Sequence, residues 1–325
     1  MQTLHQFQRL FDEYLNEHPF TGQPVELYVP VNYILSLGGK RLRPAILMMS
    51  YYLFDEEVKK SLPAAFAVEV FHNFTLLHDD IMDAAPLRRG KPTVHIAYGL
   101  NTGILSGDVM MVCALESLQR IEDKSRFQAL LSTFTQTAIE VCEGQQLDMN
   151  FEARQDVTIR EYLRMIELKT SVLLAGAMKM GAQLAGASEP DAQSLYEFGR
   201  NLGIAFQLQD DLLDTYGDPG KVGKRVGGDI AKNKKTFLFL KAVELANEGL
   251  RTQLRRLYSS PAEDDAAKIK TVISIFDGLG IRQQSERIKE EYRKEAFTHL
   301  QKVSVGGKKK ALIESFAQAL MEREF

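Results

Sequence analysis

The chain has 325 residues, of which 45% are hydrophobic and 26% are charged, a composition typical of globular proteins with a sizeable core. Its formal net charge of -3 argues against nucleic acid as the main partner, since a phosphate-binding face usually leaves a basic excess. The two cysteines, Cys113 and Cys142, are too few for a disulfide framework, and we expect both to be reduced core residues.

The beginning of the chain is amphipathic and lacks the apolar core of a signal peptide. No uninterrupted apolar run reaches the roughly 18 residues that a membrane span requires. We therefore expect a soluble, cytoplasmic protein.

Apolar residues recur at steps of three and four along most of the chain, which predicts helices. Period-two alternation, the mark of strands, is nearly absent. Pro44 is expected to open one helix. The other predicted helical segments are 62–83, 101–121, 127–150, 160–186, 190–217, 233–248, 263–281 and 307–322. Since no repeat or low-complexity linker interrupts them, the sequence predicts one all-α domain over residues 1–325.

Two of the predicted helices carry the same acidic motif. Segment 62–83 is apolar on more than one face, as in a helix at the centre of a bundle, yet it ends in DDIMD. The later stretch GIAFQLQDDLLD repeats the pattern. Residues four apart share a helix face, so Asp79 points the same way as Asp83, and Asp210 the same way as Asp214. Like charges in apolar surroundings need cations, and Mg²⁺ binds through one or two carboxylates plus substrate phosphates. Solvated acidic patches are the alternative, which the apolar setting of both motifs disfavours.

Basic residues lie near the first motif in the sequence. The segment GGKRLRP places Lys40, Arg41 and Arg43 ahead of a proline-initiated helix, where backbone N–H groups and the helix dipole also favour anions. Arg88 and Arg89 follow the first motif in PLRRGKPT. Loop arginines are usually only solvated. As a set, these residues predict an anion site built from basic side chains near Lys40, Arg43 and Arg89.

A second basic group accompanies the second motif. Lys169 and Thr170 interrupt an apolar helix, and a cation there needs a partner such as a metal-bound diphosphate. Lys224 and Lys234 flank a glycine-rich stretch. Two other lysines of that stretch are expected to be only solvated: Lys232 and Lys235. The basic residues therefore predict a second anion site, one that contains magnesium between the two acidic helices.

These segments, in this order, resemble the trans-isoprenyl diphosphate synthases, the polyprenyl synthetase family that includes farnesyl and geranylgeranyl diphosphate synthases. The resemblance is carried by GGKRLRP, HNFTLLHDDIMDAAPLRRGKPTVH, LSGDVMM, EGQQLDM, ELKTSVLL, GIAFQLQDDLLD and GKRVGGDIAKNKKT. It implies an all-α helical bundle around a deep central cavity, and a homodimer. It also implies a magnesium-dependent enzyme whose substrates are isopentenyl diphosphate and an allylic diphosphate.

The resemblance also assigns roles to individual residues. It implies that the magnesium ions that hold the allylic diphosphate are bound by Asp79, Asp83 and Asp210. Contacts to that diphosphate are implied for Arg88, Lys169 and Lys224, with Lys234 as a further candidate. Contacts to isopentenyl diphosphate are implied for Lys40, Arg43, His72 and Arg89. The oxygens of Thr170 and Gln207 are expected to face the developing allylic cation.

The mechanism that the resemblance implies is ionisation, condensation and elimination. Metal ions and cationic side chains stabilise the diphosphate leaving group, so that the allylic C–O bond breaks in a site closed to water. The isopentenyl double bond then attacks the allylic cation, and a proton leaves. The released diphosphate can serve as the base.

Two related functions remain as alternatives, a class I terpene cyclase and a non-catalytic subunit of a prenyl synthase. Cyclases usually carry an Asn/Ser/Glu triplet where this chain repeats DDLLD, and they do not need a second diphosphate site. A non-catalytic subunit should have lost some Asp or Lys positions, and none is missing. A di-iron bundle would need two Glu-x-x-His pairs, of which only Glu69–His72 exists.

Residues before the first motif bear on product length. Thr75 lies four residues before Asp79 on the same face and is small enough to let a prenyl tail pass. Phe74, about 7.5 Å along the helix axis from Asp79, is large enough to close the cavity, although ordinary core packing is the alternative. In the resembled family, an aromatic residue here with a two-residue spacer in the motif accompanies products around geranylgeranyl diphosphate. We expect that product, with farnesyl diphosphate as second choice.

Overall fold

In a computed structural model of the chain, the structure describes residues 3–217, 226–259 and 264–321. Helices dominate these residues, and the one sheet among them is an antiparallel hairpin of two strands, β1 (Leu87–Arg88) and β2 (Lys91–Pro92). The predicted all-α fold class is thereby confirmed. Within the same ranges, no helix combines the length and the apolar character needed to cross a bilayer.

The described helices are numbered in chain order. They are α1 (Leu4–Glu17), α2 (Val25–Ser36), α3 (Leu42–Tyr52), α4 (Leu62–Met82), α5 (Val94–Tyr98), α6 (Leu100–Gln119), α7 (Lys124–Ala153), α8 (Ile159–Ile166), α9 (Val172–Leu184), α10 (Glu189–Tyr216), α11 (Gly228–Ala231), α12 (Phe237–Leu245), α13 (Glu248–Leu257), α14 (Asp265–Gly278), α15 (Ile281–Lys302) and α16 (Gly307–Met321). A 3-10 turn (Val58–Ser61) precedes α4, and a π-helical turn (Glu167–Ser171) joins α8 to α9.

The chain divides into two compact units. The first consists of Met1–Ala138, Gly176–Tyr196 and Val303–Ile313. The second consists of Ile139–Ala175, Glu197–Lys302 and Glu314–Phe325. The first acidic motif belongs to the first unit and the second motif to the second. The single domain over residues 1–325 stays a prediction.

Each predicted helical segment contains a helix, and Pro44 lies in the first turn of α3, where proline is tolerated. Helix α15 is not predicted by the periodicity, because it is mostly charged and buries few residues: Ile281, Ser285, Ala296 and Leu300. Ion pairs three residues apart cover its surface, as between Arg293 and Glu290 at 2.7 Å. The sequence of such a helix shows only a weak apolar period. The helix is stabilised mainly by its packing against neighbouring elements, which the sequence pattern does not reveal.

Helix α4 has the burial that its apolar sequence predicts. Every residue from Leu62 to Phe71 except Pro63 is buried. Pro63 lies in the first turn, where its missing N–H leaves no intrahelical bond unmade. The helix ends at Met82 and is capped by Asp83, and the next residue, Ala84, is left-handed at φ +48°. The acidic motif therefore occupies the last turn of a buried helix.

The expectation that both cysteines are core residues is wrong. Cys142 is exposed and Cys113 is half-buried, and both are free thiols. They lie toward the outer sides of α7 and α6, each next to an exposed residue, Glu143 and Val112 respectively. An apolar neighbourhood in sequence does not fix the rotation of a long helix relative to its core.

Candidate active-site clusters in the two units

The three aspartates of the first motif have different environments. Asp80 is buried and accepts two hydrogen bonds from Arg88, at 2.6 Å from Nε and 2.8 Å from Nη2. Asp79 is half-buried and Asp83 is exposed, on the neighbouring face of the last turn of α4. A bidentate arginine–carboxylate pair is among the strongest charge-assisted contacts in proteins. The middle aspartate is therefore committed to holding Arg88, while the outer two point elsewhere.

The hairpin β1–β2 fixes the two arginines that follow the motif. Its turn residues, Arg89 and Gly90, have φ values of +52° and +75°, as a two-residue hairpin turn with positive φ at both central positions requires. Strand residue Arg88 is thereby directed toward Asp80. Arg89 instead lies against the loop before α3: a Cβ built on Gly39 would be 3.0 Å from both Nη atoms of Arg89. The first unit thus brings PLRRGKPT next to GGKRLRP.

Arg41 differs from the other basic residues of its segment, because it is buried in a structural network. It donates to Glu69 at 2.6 Å, to Asp12 at 3.2 Å and to the carbonyl oxygen of Leu35 at 2.7 Å. Its backbone is left-handed, with φ +45°, so these contacts also fix the bend that starts α3. With its donors engaged within the protein, Arg41 supports the loop and is not placed among the ligand contacts.

Arg43 and His72 form a pair beneath this loop. Nη1 of Arg43 lies 3.1 Å from Nε2 of His72, which therefore accepts as a neutral ring. Burial holds the pKa of His72 well below its usual range, and the positive charges of Arg43 and Arg89 act in the same direction. The Nε atom of Arg43 is buried and has no hydrogen-bond partner among the described residues. An unsatisfied buried donor of this kind is costly, and a bound anion would satisfy it.

The basic residues of the first unit also crowd one another. Burial lowers the pKa of Arg89, and the neighbouring charges of Arg41 and Arg88 lower it further. Lys40 completes the set on the exposed side of the loop, where its carbonyl oxygen accepts from Gln8 at 2.5 Å. A concentration of positive charge with an unsatisfied donor fits a strongly anionic ligand such as a diphosphate.

In the second unit, Lys169 lies on the π-helical turn. Neighbouring helices approach this turn closely because they carry glycine there. A Cβ on Gly144 of α7 would lie 2.2 Å from the backbone nitrogen of Lys169, and one on Gly203 of α10 would lie 2.7 Å from Cα of Ser171. π-helical turns are rare and frequent at functional sites. Close packing around the turn therefore fixes the backbone of Lys169 and Thr170.

The partner of Lys169 is Asp148, whose Oδ2 accepts from Nζ at 2.5 Å. Asp148 lies one turn beyond Gly144 on α7, in the segment EGQQLDM. The sequence indicates that Lys169 needs a partner but does not identify Asp148 as that partner. The available signal is the spacing of Gly144 and Asp148, four residues apart on a single helix face.

A chain of polar contacts connects Thr170 to the second motif. The hydroxyl of Thr170 donates to Gln207 at 3.4 Å, and the amide of Gln207 donates to Asp211 at 3.3 Å. Asp211 is buried and also accepts from the hydroxyl of Tyr162. Burial raises the pKa of Asp211 to about 8, and the charges of Asp229 and Asp210 act in the same direction. As in the first motif, the middle aspartate is committed to a contact inside its own unit.

Asp214 holds the loop that follows the second motif. Its carboxylate accepts from the backbone N–H of Asp229 at 2.9 Å, close to the start of α11. In that loop Lys234 is exposed and its Nζ lies 3.9 Å from Oδ1 of Asp229. Lys224 lies outside the residues that the structure describes. Asp210 is half-buried on the same helix face as Asp214.

The expectation that Lys235 is only solvated is wrong, whereas Lys232 is exposed as expected. Lys235 is buried and donates to the carbonyl oxygens of Phe151 at 2.7 Å and Glu152 at 3.0 Å, near the end of α7. Carbonyl groups in a last helical turn lack intrahelical partners, and a cation there is also favoured by the helix dipole. Lys235 thus ties the loop to α7.

The carboxylates at the outer positions of the two motifs suit a hard divalent cation. Asp79 and Asp83 offer oxygen ligands one turn apart in the first unit, and Asp210 offers another in the second. Within the described parts of the chain, no group of three or more acidic, histidine or cysteine side chains is arranged to hold a metal by itself. Magnesium commonly takes only one or two protein carboxylates and completes its shell with phosphate and water. The residues present therefore fit magnesium that is bound together with a phosphate ligand.

Phe74 lies about 140° around the axis of α4 from Asp79 and one turn before His78, the residue that contacts α6. It is half-buried, and its ring centroid lies 5.6 Å from that of Phe71 and 4.8 Å from that of His78. Thr75, whose hydroxyl donates to the carbonyl oxygen of His72, lies between the faces of α4 that carry Asp79 and Phe74. A tail that starts near Asp79 would therefore have to pass Thr75 to reach Phe74.

Comparison with known proteins assigns the family. The family model for polyprenyl synthetase matches residues 24–276. The chain is 41% identical over 251 residues to a short chain isoprenyl diphosphate synthase of Methanocaldococcus jannaschii, which covers 77% of this chain and 76% of that protein. It is 42% identical over 251 residues to a geranylgeranyl diphosphate synthase of Methanosarcina mazei, with the same shares covered. A crystal structure of a geranylgeranyl pyrophosphate synthase superposes with a TM-score of 0.94 at 45% identity and covers 100% of both chains.

Proposed function

The chain belongs to the polyprenyl synthetase family, and from this premise we propose that it is a prenyltransferase. It condenses isopentenyl diphosphate with an allylic diphosphate and releases a linear all-trans prenyl diphosphate. The product is geranylgeranyl diphosphate, since relatives at this level of identity are named for it. The observation that carries the proposal is the basic set of the first unit, where the buried Nε of Arg43 has no hydrogen-bond partner among the described residues. A terpene cyclase acts on one diphosphate and would not need this set in addition to a magnesium site.

We assign the metal to the outer aspartates. Asp79, Asp83 and Asp210 would hold magnesium, which when bound neutralises the allylic diphosphate and makes it a better leaving group. Lys169 brings a positive charge to the same diphosphate and stabilises the charge that develops as the C–O bond breaks. Arg88, which Asp80 holds in place, contacts that group as well. Two lysines are further contacts by the resemblance: Lys224 and Lys234.

The basic set of the first unit is assigned to isopentenyl diphosphate. The buried Nε of Arg43 is a donor without a partner among the described residues, Arg89 lies among other positive charges, and Lys40 adds a further positive charge. His72, being neutral, orients Arg43 by accepting from it. In the second unit, Thr170 and Gln207 present oxygens that stabilise the allylic cation. The proton lost after condensation can go to the released diphosphate, so no side chain is needed as the base.

Replacing Arg43 by alanine tests the assignment of the basic set. We expect the KM for isopentenyl diphosphate to rise about ten- to a hundredfold, the value of one charge-assisted hydrogen bond, with little change in the KM for the allylic substrate. His72→Ala should act in the same direction but less strongly, because it removes only the group that orients Arg43. Steady-state kinetics with each substrate varied in turn measures both constants.

The matched control for this test is Lys59→Ala, which removes an exposed cation from the turn before α4. It should leave both KM values unchanged. If Arg43→Ala raised only the KM for the allylic diphosphate, the two anion sites would have been assigned the wrong way round.

Phe74→Ala tests whether this ring closes the space available to the growing tail. We expect the products to lengthen by at least one five-carbon unit, because the largest side chain on that path is removed. Since Phe74 is only half-buried, the loss in free energy of unfolding should stay at or below about 3 kcal/mol, the low end for Phe→Ala. Chromatographic sizing of the dephosphorylated products gives the answer.

Phe66→Ala provides the matched control, since it makes the same change eight residues earlier in α4 and in the buried core. It should cost stability without changing product length. Products of unchanged length from a folded Phe74→Ala variant would mean that other residues limit the tail.

We also propose that the protein is a homodimer, as the family resemblance implies. Large apolar side chains are exposed along α5 and α6, among them Ile96 at 57%, Leu105 at 59% and Val112 at 63%. A second copy that covers this face would remove them from water. Light scattering should give a molar mass twice that of one chain, and a Val112→Asp variant should shift it toward the monomer.

A further inference from the structure

His78 fills a narrow gap between α4 and α6. A Cβ built on Gly107 of α6 would lie 2.1 Å from Nε2 of His78 and 2.6 Å from its Cδ2, so any side chain at position 107 would collide with the ring. Nε2 of His78 also lies 3.3 Å from the carbonyl oxygen of Ile104. The ring is therefore held against α6 by a polar contact and by the absence of a side chain at Gly107.

The His78 ring also contacts Phe74, one turn earlier on α4. The two ring centroids are 4.8 Å apart and the planes are inclined at 63°, an edge-to-face arrangement. On its far side Phe74 contacts Phe71, whose ring is 1% exposed and lies 5.5 Å from that of Phe134 on α7. Phe74 is thus braced in two directions, by a fully buried aromatic residue and by a histidine that rests on α6.

We propose that Gly107 and His78 are positioning residues that set how far the Phe74 ring reaches into the space for the prenyl tail, and so determine product length. This inference rests on the proposed function and on the assignment of Phe74 as the residue that closes that space. The Phe71 side of the brace is packed in the core and has little freedom to move. The His78 side depends on the space at Gly107 and on one polar contact, with the carbonyl oxygen of Ile104, so it is the adjustable part.

The two positions should change product length in opposite directions. Removing the His78 ring leaves Phe74 unsupported on one side, so that the growing tail can push it aside. Adding a methyl group at Gly107 forces the His78 ring away from α6, and the aromatic ring that His78 contacts is that of Phe74. The Phe74 ring would then be pressed further into the path of the tail.

The test compares His78→Ala and Gly107→Ala with the unmodified chain, using farnesyl diphosphate and dimethylallyl diphosphate as starters. We expect His78→Ala to move the dominant product one five-carbon unit longer, and Gly107→Ala to move it one unit shorter. The rate of the first condensation with dimethylallyl diphosphate should be retained in both variants. A purely structural role would change yield and melting temperature but not the length distribution.

Gly103→Ala is the matched control, because Gly103 is buried one turn earlier on the same helix. A Cβ there would lie 3.2 Å from the end of the Ile81 side chain, which can move aside. Both glycine replacements raise helix propensity to the same extent, by about 1 kcal/mol. Gly103→Ala should therefore leave the product distribution as it is.

A double variant makes the test independent of how well Gly107→Ala folds. In the His78→Ala background no ring remains for the new methyl group to displace, so the added Gly107→Ala should have no further effect on product length. Such non-additivity is the mark of residues that act through one contact.

The possible failures can be told apart. An unmodified chain that makes no prenyl diphosphate would overturn the proposed function itself. Products of unchanged length from Phe74→Ala would overturn the assignment of Phe74. The positioning role alone would be overturned if Phe74→Ala lengthened the products but His78→Ala left the product distribution unchanged. The same conclusion would follow if Gly107→Ala left the products unchanged or made them longer.

Discussion

Replacement of Asp79 by alanine is expected to lower turnover about a thousandfold or more, even at saturating magnesium and substrates. Asp79 is half-buried in the last turn of α4, while Asp80 beside it is occupied by Arg88. If Asp79 binds magnesium as we propose, Asp80 is not available to replace it. Asp210→Ala should have an effect of the same order, since Asp211 is likewise occupied inside its own unit. Incorporation of labelled isopentenyl diphosphate measures the rate.

The fold should survive the Asp79 substitution. Asp79 and Asp83 are like charges four residues apart, and they lie at the C-terminal end of a helix, where the dipole disfavours carboxylates. Removing one of them should leave the free energy of unfolding unchanged or slightly higher. Asp80→Ala provides the contrast, because it leaves the Arg88 guanidinium without its carboxylate partner. It should lower the free energy of unfolding by about 1–3 kcal/mol.

Metal removal checks the same assignment without a mutation. Turnover should disappear when a chelator is added in excess, and it should return with magnesium. The helical circular dichroism signal should not change during this cycle. An Asp79→Ala variant that turns over at nearly the normal rate would remove the central element of the proposal.

The second large effect is expected for Lys169. Lys169→Ala should reduce kcat about a hundred- to a thousandfold, the loss found when one preorganised charge-stabilising donor is removed. The π-helical turn and the close approach of Gly144 fix the backbone of Lys169, and Asp148 holds its ammonium group at 2.5 Å. The charge is thus placed before the substrate binds, and the loss should fall on ionisation of the allylic substrate.

Two measurements make this test specific. The slow hydrolysis of allylic diphosphate in the absence of isopentenyl diphosphate reports ionisation, and it should fall together with kcat. The KM for isopentenyl diphosphate should change little. Lys179→Ala is the matched control, because Lys179 is a helical lysine of α9 that pairs with Glu189 at 2.8 Å in the first unit. Normal ionisation by Lys169→Ala would show that other groups stabilise the leaving group.

The sequence by itself determined the fold class, and it predicted that the first acidic motif lies at the end of a buried helix. This was possible because helix periodicity and the DDxxD spacing are local patterns that can be counted within one segment. The apolar sequence of α4, for example, predicts a buried helix, and its residues are buried. Apolar periodicity does not indicate α15, because its sequence is mostly charged.

Only the tertiary structure decided which member of each motif is committed to an internal contact. The sequence presents Asp79, Asp80 and Asp83 as a set, whereas the fold pairs the middle one with Arg88. The same holds for Asp211, which is bound by the Tyr162 hydroxyl. These outcomes depend on the direction in which a neighbouring element presents its side chain, and spacing within a helix does not contain that information.

The lysines show the physical reason most clearly. Lys232 and Lys235 are three residues apart in one polar stretch, and both look solvated in the sequence. Lys235 is nevertheless buried, because its ammonium group reaches the carbonyl oxygens of Phe151 and Glu152, more than 80 residues away in the chain. A cation is solvated or buried according to the partners that folding brings within hydrogen-bond distance. Those partners come from distant segments, so only the folded chain decides the matter.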